Sequence, residues 1–295
     1  MTATERLAVL LRQEAAALRR REPIFETLLQ RSIIAPPTFS AMLCHLLAAR
    51  LADAQVGEQA LFDVFAAVHD DSPLLVEQAR CDIEAVLRRD PASDALLHIM
   101  LDQKGFQAIQ THRLAHALWV AGRREVARWL QGASSRTLGV DMHPAARIGQ
   151  GIMFDHATGI VIGETCVIGD DVSIMQGVTL GGTGNQTGDR HPKIGDGVLI
   201  GTGATLLGNL VVGHGAKVGA GSVVLHDVPP GMTVVGIPAR IVGQAGGAAA
   251  APADEMNQNF LKEPTAGCFD SADSVDAAAE NVAPSGGAPR PCPVD

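Results

Sequence analysis

From Ile148 to Val228 the apolar positions of this chain recur every six residues, as aliphatic–Gly–x–x–small–x. Ile162-Gly163, Ile168-Gly169, Ile174 and Leu180-Gly181 form one run, and Ile194-Gly195, Ile200-Gly201, Leu206, Val212-Gly213, Val218-Gly219 and Val224 form a second. Ile148-Gly149, Phe154 and Ile160 keep the same period before the frame slips by two residues at Ile162. The fifth position of each unit is also small or aliphatic, as at Cys166, Val172, Val178, Val198, Ala204, Ala216 and Ser222. A period of six belongs to neither a strand nor a helix. It predicts a parallel β-helix, in which each unit is a short strand plus a turn and stacked coils bury one continuous core.

The earlier part of the chain carries a different rhythm. Leu28, Leu29, Ile33 and Ile34, then Phe39, Met42, Leu43, Leu46, Leu47 and Leu51, fall at three- and four-residue spacing, the stripe of amphipathic helices. Breaks are expected at Pro23, Pro36-Pro37, Ser72-Pro73, Asp90-Pro91 and Gly105, with Ser72 as a capping residue before Pro73. Such a helical region would also cover the open end of a solenoid, where strand edges are otherwise unpaired. Between Leu180 and Ile194 the register stretches, and Gly182–Lys193 is expected to leave the prism as a loop on a binding face. Val234–Val242 reads as a closing strand. The predicted fold class is therefore α+β in two domains. Residues 1–138 form an all-helical domain, 139–243 a left-handed parallel β-helix of hexapeptide repeats, and 244–295 a disordered tail without periodicity.

Composition narrows the function. The 295 residues carry a formal charge of -9, which argues against nucleic acid. No apolar run approaches the ~18 residues of a membrane span, and the first 21 residues lack the basic head and apolar middle of a signal peptide. Five scattered cysteines without a CxxC pair predict free thiols and a cytoplasmic setting.

Three polar clusters interrupt the apolar pattern: Asp141-Met-His143, Asp155-His156 and Asp189-Arg190-His191. With about eighteen residues per three-sided coil, Asp141 and His156 would stack on neighbouring coils, and such a pair orients an imidazole to deprotonate a hydroxyl. A corner histidine satisfied by a backbone carbonyl is the structural alternative.

Asp141-Met-His143-Pro-Ala-Ala, Gly151-Ile-Met-Phe-Asp155-His156-Ala-Thr-Gly, Val178-Thr-Leu-Gly-Gly-Thr-Gly and Gly188-Asp-Arg190-His191-Pro-Lys closely resemble the serine O-acetyltransferases. Leu87-Arg-Arg-Asp90-Pro-Ala and Lys104-Gly-Phe-Gln-Ala-Ile-Gln-Thr-His-Arg113 extend the resemblance into the helical part. It implies transfer of acetyl from acetyl-CoA to the hydroxyl of L-serine, for cysteine biosynthesis, with no metal. By this resemblance His156 is the general base and Asp141 its partner, while Arg190 holds the substrate carboxylate, with His191 beside it. Asp90 and Asp155 hold the amino group and hydroxyl region. Gly182, Thr183, Thr202, Lys217 and Ala220 are the implied acetyl-CoA contacts. The residue types suit the chemistry, because a zwitterion calls for one bidentate cation and nearby carboxylates.

The resemblance also implies a homotrimer, paired into a hexamer, with sites between subunits and with feedback inhibition by L-cysteine. Many bacterial members bind the next enzyme, O-acetylserine sulfhydrylase, through a terminal isoleucine, whereas this chain ends Val294-Asp295, which departs from that pattern. Two other readings remain at this stage. One is a hexapeptide acetyltransferase for another hydroxyl acceptor, homoserine or a sugar. The other is a γ-type carbonic anhydrase holding zinc through histidines of neighbouring subunits, with His143, His156, His191 and His214 as candidates.

Overall fold

The structure is a computed structural model that describes residues 1–184, 187–245 and 251–258. Helices come first: α1 (Ala3–Arg21), α2 (Glu26–Leu29), α3 (Phe39–Leu51), α4 (Glu58–Asp71), α5 (Leu74–Arg89), α6 (Leu96–Asp102), α7 (Lys104–Val120) and α8 (Arg124–Leu138). Thr2 opens α1 with a reciprocal capping box to Glu5. Ser72 does not act as expected. Helix α5 begins without a side-chain cap, and Ser72 contributes only its carbonyl, to Leu75 N–H. Gly105 does not break the helix either, since it is the second residue of α7. A Cβ there would lie 2.1 Å from the Phe154 carbonyl oxygen, so glycine lets the helix start directly on a strand backbone.

Strands then wind into three parallel sheets. The first holds β1 (Val140–Met142), β4 (Ile160–Ile162), β7 (Thr179–Gly181), β10 (Thr205–Leu207) and β13 (Val223–Val224). The second holds β2 (Arg147–Ile148), β5 (Val167–Ile168), β8 (Lys193–Ile194) and β11 (Val211–Val212). The third holds β3 (Met153–Asp155), β6 (Ser173–Met175), β9 (Leu199–Ile200), β12 (Lys217–Val218) and β14 (Met232–Gly236). The expected single closing strand is instead a hairpin: β15 (Ala239–Gln244) folds back antiparallel on β14.

Register explains both irregularities of the repeat. Phe154 faces Ile174 and Ile162 faces Leu180, so eight residues lead from Phe154 to Ile162 where six lead from Ile174 to Leu180. The two extra residues fall in the turn that carries His156. Likewise Leu180 to Ile194 spans fourteen residues where the stacked Leu206 to Val212 spans six, which places eight extra residues in the 182–192 loop.

Ile168, Ile174, Leu180, Ile200, Leu206, Val212 and Val218 point inward and are buried. Each fully buried aliphatic side chain contributes about 1.5–3 kcal/mol of transfer free energy. The same apolar cluster continues into Phe65, Ile109, Leu118 and Leu130, so the helices plug the first coil and share its core. A buried ion pair pins the junction. Arg113 donates to both carboxylate oxygens of Asp82 at 2.7 to 3.0 Å, and Asp82 also accepts from Ile152 N–H at 2.9 Å.

The chain after Gln244 is not uniformly without structure, contrary to expectation. Residues 251–258 dock on the solenoid. Pro252–Glu255 forms a helical turn, Ala253 is buried, and Ala253 N–H donates to the Gly197 carbonyl. Asp254 pairs with Arg89 Nε at 2.7 Å and with Arg88 at 3.0 Å. Arg89 has no exposed side-chain surface, so a carboxylate from this segment answers a buried charge. The remainder of the predicted tail lies outside the described residues.

Candidate active site

Two edges of the prism carry the polar side chains. The edge between the third and first sheets is a stacked column of turns: Gly159 N–H donates to Gly139, Gly177 to Thr158, Gly203 to Gln176 and Gly221 to Thr202. His156 stands at the start of this column and Thr202 and Ala220 lie further along it. His156 and Ala157 adopt positive φ, 53° and 59°. Ala157 buries its methyl in the core while the His156 side chain is 76% exposed.

The exposed imidazole borders a cavity of about 310 Å³ lined by Asp90, Ala92, His98, Asp102, Gln103, Lys104, Gly105, Phe154 and Asp155. Asp90 ends α5. Burial opposes its charge, but hydrogen bonds from Ser93 Oγ, Ala92 N–H and Gln103 Nε2 more than offset that and hold its carboxyl below the usual range. Asp155 ends β3, with its carboxylate 4.0 Å from His156 Nε2. Burial pushes the Asp155 carboxyl up; His156 pulls it down and Asp90 adds to the rise. One wall thus joins an ionised carboxylate to one poised to gain from a cation.

The other edge, between the first and second sheets, carries His143, Glu164, Gly182 and Thr183, and the loop with Arg190 and His191. Arg190 Nη2 donates to Glu164 at 2.7 Å and Nη1 to the Gly188 carbonyl at 3.0 Å. His191 is buried, and its ring takes the space that a side chain at position 163 would need. Thr165 N–H donates to His191 Nδ1 at 3.2 Å, so the ring keeps its proton on Nε2 as a donor. Burial, and then the Arg190 charge, lower the His191 pKa and keep the ring neutral. Lys217 projects from the third sheet and is buried; burial lowers its pKa, and Glu255 of the docked segment pulls the other way.

One stacking expectation fails. Asp141 faces Val161, not His156, because the first coil is twenty residues long, and its carboxylate accepts from Gln131 Nε2 at 2.7 Å. Within one chain His156 is near Asp155 instead. Nor does a single chain bring the His156 edge to the Arg190 edge. Within one chain His143 and His191 occupy one edge, His156 another, and His214 follows β11 on the third. Among the described residues no group of three or more His, Cys, Asp or Glu is placed to hold a metal.

Sequence reasoning gave no role to Gln103, Lys104, Ser93, Thr158, Glu164 or Thr165. Glu164 and Thr165 were detectable as polar residues directly after an Ile-Gly repeat unit, and Lys104 as the cation opening a helix against the site.

Residues 9–111 match the N-terminal model of serine acetyltransferase, and 191–226 the bacterial transferase hexapeptide model. Serine acetyltransferase of Haemophilus influenzae is 49% identical over 251 residues, covering 85% of this chain and 93% of that protein. The chain belongs to the serine acetyltransferase family. The solved structure of the Vibrio cholerae serine acetyltransferase superposes with a TM-score of 0.85 at 47% identity, covering 88% of this chain and 99% of the other. A Brucella abortus family member, 47% identical with a TM-score of 0.80 over 81% of this chain and 96% of its own, was solved with coenzyme A. Other family structures hold cysteine and serine. The helical-then-solenoid order expected from the sequence is thus the architecture of the family.

Proposed function

We propose that this chain acetylates the hydroxyl of L-serine with acetyl-CoA, giving O-acetylserine, and that His156 is the general base. The observation that carries this reading is the exposed imidazole at the mouth of a cavity walled by Asp90 and Asp155. Two carboxylates suit the ammonium of an amino acid, and the serine hydroxyl then lies within reach of the ring. His156 takes the hydroxyl proton as the oxygen attacks the thioester carbonyl. When the tetrahedral intermediate collapses, the imidazolium returns that proton to the departing thiolate sulfur, releasing CoA.

Arg190 offers a fork for the substrate carboxylate, and His191 a neutral Nε2–H beside it. Because these residues sit on a different edge from His156, the complete site forms between neighbouring chains of a trimer. Asp141, on the sheet that joins the two edges, supports the imidazole from within that assembly. Trimers pair through the helical regions into a hexamer. Gly182, Thr183, Thr202, Lys217 and Ala220 line the acetyl-CoA path, with Lys217 facing its phosphates. L-Cysteine, sharing the carboxylate and ammonium of serine, inhibits at the same site. No described helix is long and apolar enough to cross a membrane, and Cys44, Cys81 and Cys166 are free thiols. The chain works in the cytoplasm.

The test is thiol release from acetyl-CoA with serine, homoserine and a sugar as competing acceptors. Serine should have the highest kcat/KM, and preference for another acceptor would overturn the reading.

A further inference from the structure

The His156 turn holds two consecutive non-glycine residues in the left-handed region, at 53° and 59°. A Cβ makes that backbone unfavourable, so such a turn persists only where its surroundings over-determine it. Three restraints come from the solenoid. The Ala157 methyl is buried, Gly159 N–H reaches the Gly139 carbonyl at 2.8 Å, and the Thr158 carbonyl accepts from Gly177 at 2.9 Å. All three hold the backbone on either side of His156. The His156 carbonyl itself accepts only from within the turn, from Thr158 N–H at 2.7 Å, so its position follows that of Thr158.

A fourth restraint comes from the helical region. Lys104 Nζ donates to Thr158 Oγ1, and the Thr158 hydroxyl points on to the His156 carbonyl at 3.5 Å. The directions agree, because an ammonium only donates and a hydroxyl accepts one hydrogen bond while donating another. Lys104 is the first residue of α7, whose start is set by contact of Gly105 with the Phe154 carbonyl, two residues before His156. The helix is therefore anchored to the strand that leads into the turn, and its lysine reaches across to the residues that leave it.

We propose that Lys104, acting through Thr158, is a positioning residue that holds His156 in the orientation needed for proton transfer. This rests on the reading of His156 as general base. Lys104 does not touch the transferred proton. It links the helical region to the turn, so that the imidazole is presented to the acceptor in one orientation and not several. A misplacement of about 1 Å at a reacting group can cost on the order of 10²-fold in rate.

The experiment compares Lys104→Met, Lys104→Arg, Thr158→Val and the double variant Lys104→Met/Thr158→Val, with His156→Ala in the same assay. Lys104→Met should lower kcat roughly 10- to 100-fold, with the KM values of serine and acetyl-CoA and the melting temperature near those of the parent. Lys104→Arg should recover most of the loss. Thr158→Val should fall in the same direction, and the double variant should be no worse than the poorer single one, since both act on one restraint. If His156→Ala is inactive while Lys104→Met stays within twofold of the parent, the inference fails and the general-base reading stands. A change confined to KM would make Lys104 a ligand contact and also overturn the proposal. Additive losses would sink the shared restraint. Near-normal kcat in His156→Ala would instead sink the reading on which this rests.

Discussion

Along one edge of the solenoid the His156 ring is 76% exposed, 4.0 Å from the Asp155 carboxylate, on a turn lengthened by two residues. Along another, Arg190 and His191 are tied down by Glu164, Thr165 and the Gly188 carbonyl, on a loop lengthened by eight. Both edges interrupt the six-residue repeat, yet they do so for opposite ends. Proton transfer needs a ring with an open face and freedom to accept. Recognition of a carboxylate needs donors fixed in advance, so that little ordering is lost on binding. Each interruption is placed where a turn can grow without disturbing the stacked aliphatic core.

The separation of the edges gives the largest expected effect. His156→Ala should lower kcat by at least about 10²-fold with acetyl-CoA still bound, as expected for loss of a general base. Arg190→Ala should act mainly on serine KM, because a charged hydrogen-bonding pair is worth about 1.5–3 kcal/mol. Chains carrying one defect each, co-expressed and assembled at random, should regain about a quarter of the sites, because half of each interface comes from each neighbour in a cyclic trimer. Activity of the purified mixture measures this directly. No recovery would place both edges in one chain's site or abolish the trimer.

Glu164→Gln should follow, with a smaller effect. The glutamate holds Arg190 at 2.7 Å, and that hydrogen bond, against the opposing effect of burial and with help from His143 and His191, holds its carboxyl below the usual carboxylate range. Neutralising it leaves the fork less well aimed, and serine KM should rise about 10-fold while kcat changes little. A kcat loss with unchanged KM would assign Glu164 to the chemistry instead.

The two carboxylates of the His156 edge should separate in pH titrations. Asp155, raised mainly by burial, takes up a proton at higher pH than an ordinary carboxyl, whereas Asp90 stays ionised below that range. Serine KM should therefore climb on acidification first through Asp155. The sign for stability is opposite to that of a salt-bridged aspartate. A raised folded pKa means that ionised Asp155 costs stability above its unfolded pKa, and that this cost is relieved as pH falls. Asp155→Asn should melt higher than the parent at neutral pH while binding serine poorly. A lower melting temperature would show that Asp155 serves the fold more than the site.

What could be read in advance follows the same division. The coil interior was legible because each inward position, such as Ile174 or Leu206, is decided by burial alone, and burial repeats. The frame slip at Ile162 and the stretch after Leu180 were visible as interruptions, and both carry residues of the proposed site. Asp141 was misplaced because it lies fifteen residues before His156, short of even an eighteen-residue coil, and the first coil is twenty residues long. Gly105 was misjudged as a breaker because its contact, the Phe154 carbonyl, lies 49 positions away in sequence. Docking of 251–258 was invisible for a related reason. A four-residue turn has no period, and its anchor is a charge on α5.

That anchor yields the smallest expected effect. Asp254 meets Arg89 at 2.7 Å, but Arg89 also holds Asp171 at 2.9 Å and the Gly151 carbonyl at 2.7 Å. Removing one carboxylate leaves the guanidinium partly satisfied, so the loss stays well short of the several kcal/mol for an orphaned buried charge. Asp254 keeps 34% of its side-chain surface, and solvent screening reduces the term further. Asp254→Asn should cost about 1 kcal/mol, near 2–4 °C in melting temperature for a chain of this size. Burial raises the Asp254 pKa, but the two arginines outweigh it and lower the folded value. The contribution is therefore present above the unfolded carboxyl pKa and lost as pH falls through the folded one. Parent and variant should melt apart at pH 7 and converge under acid, with kcat unchanged at a temperature where both are folded. A gap that persists in acid would mean that packing of Ala253, not the charge of Asp254, holds the segment.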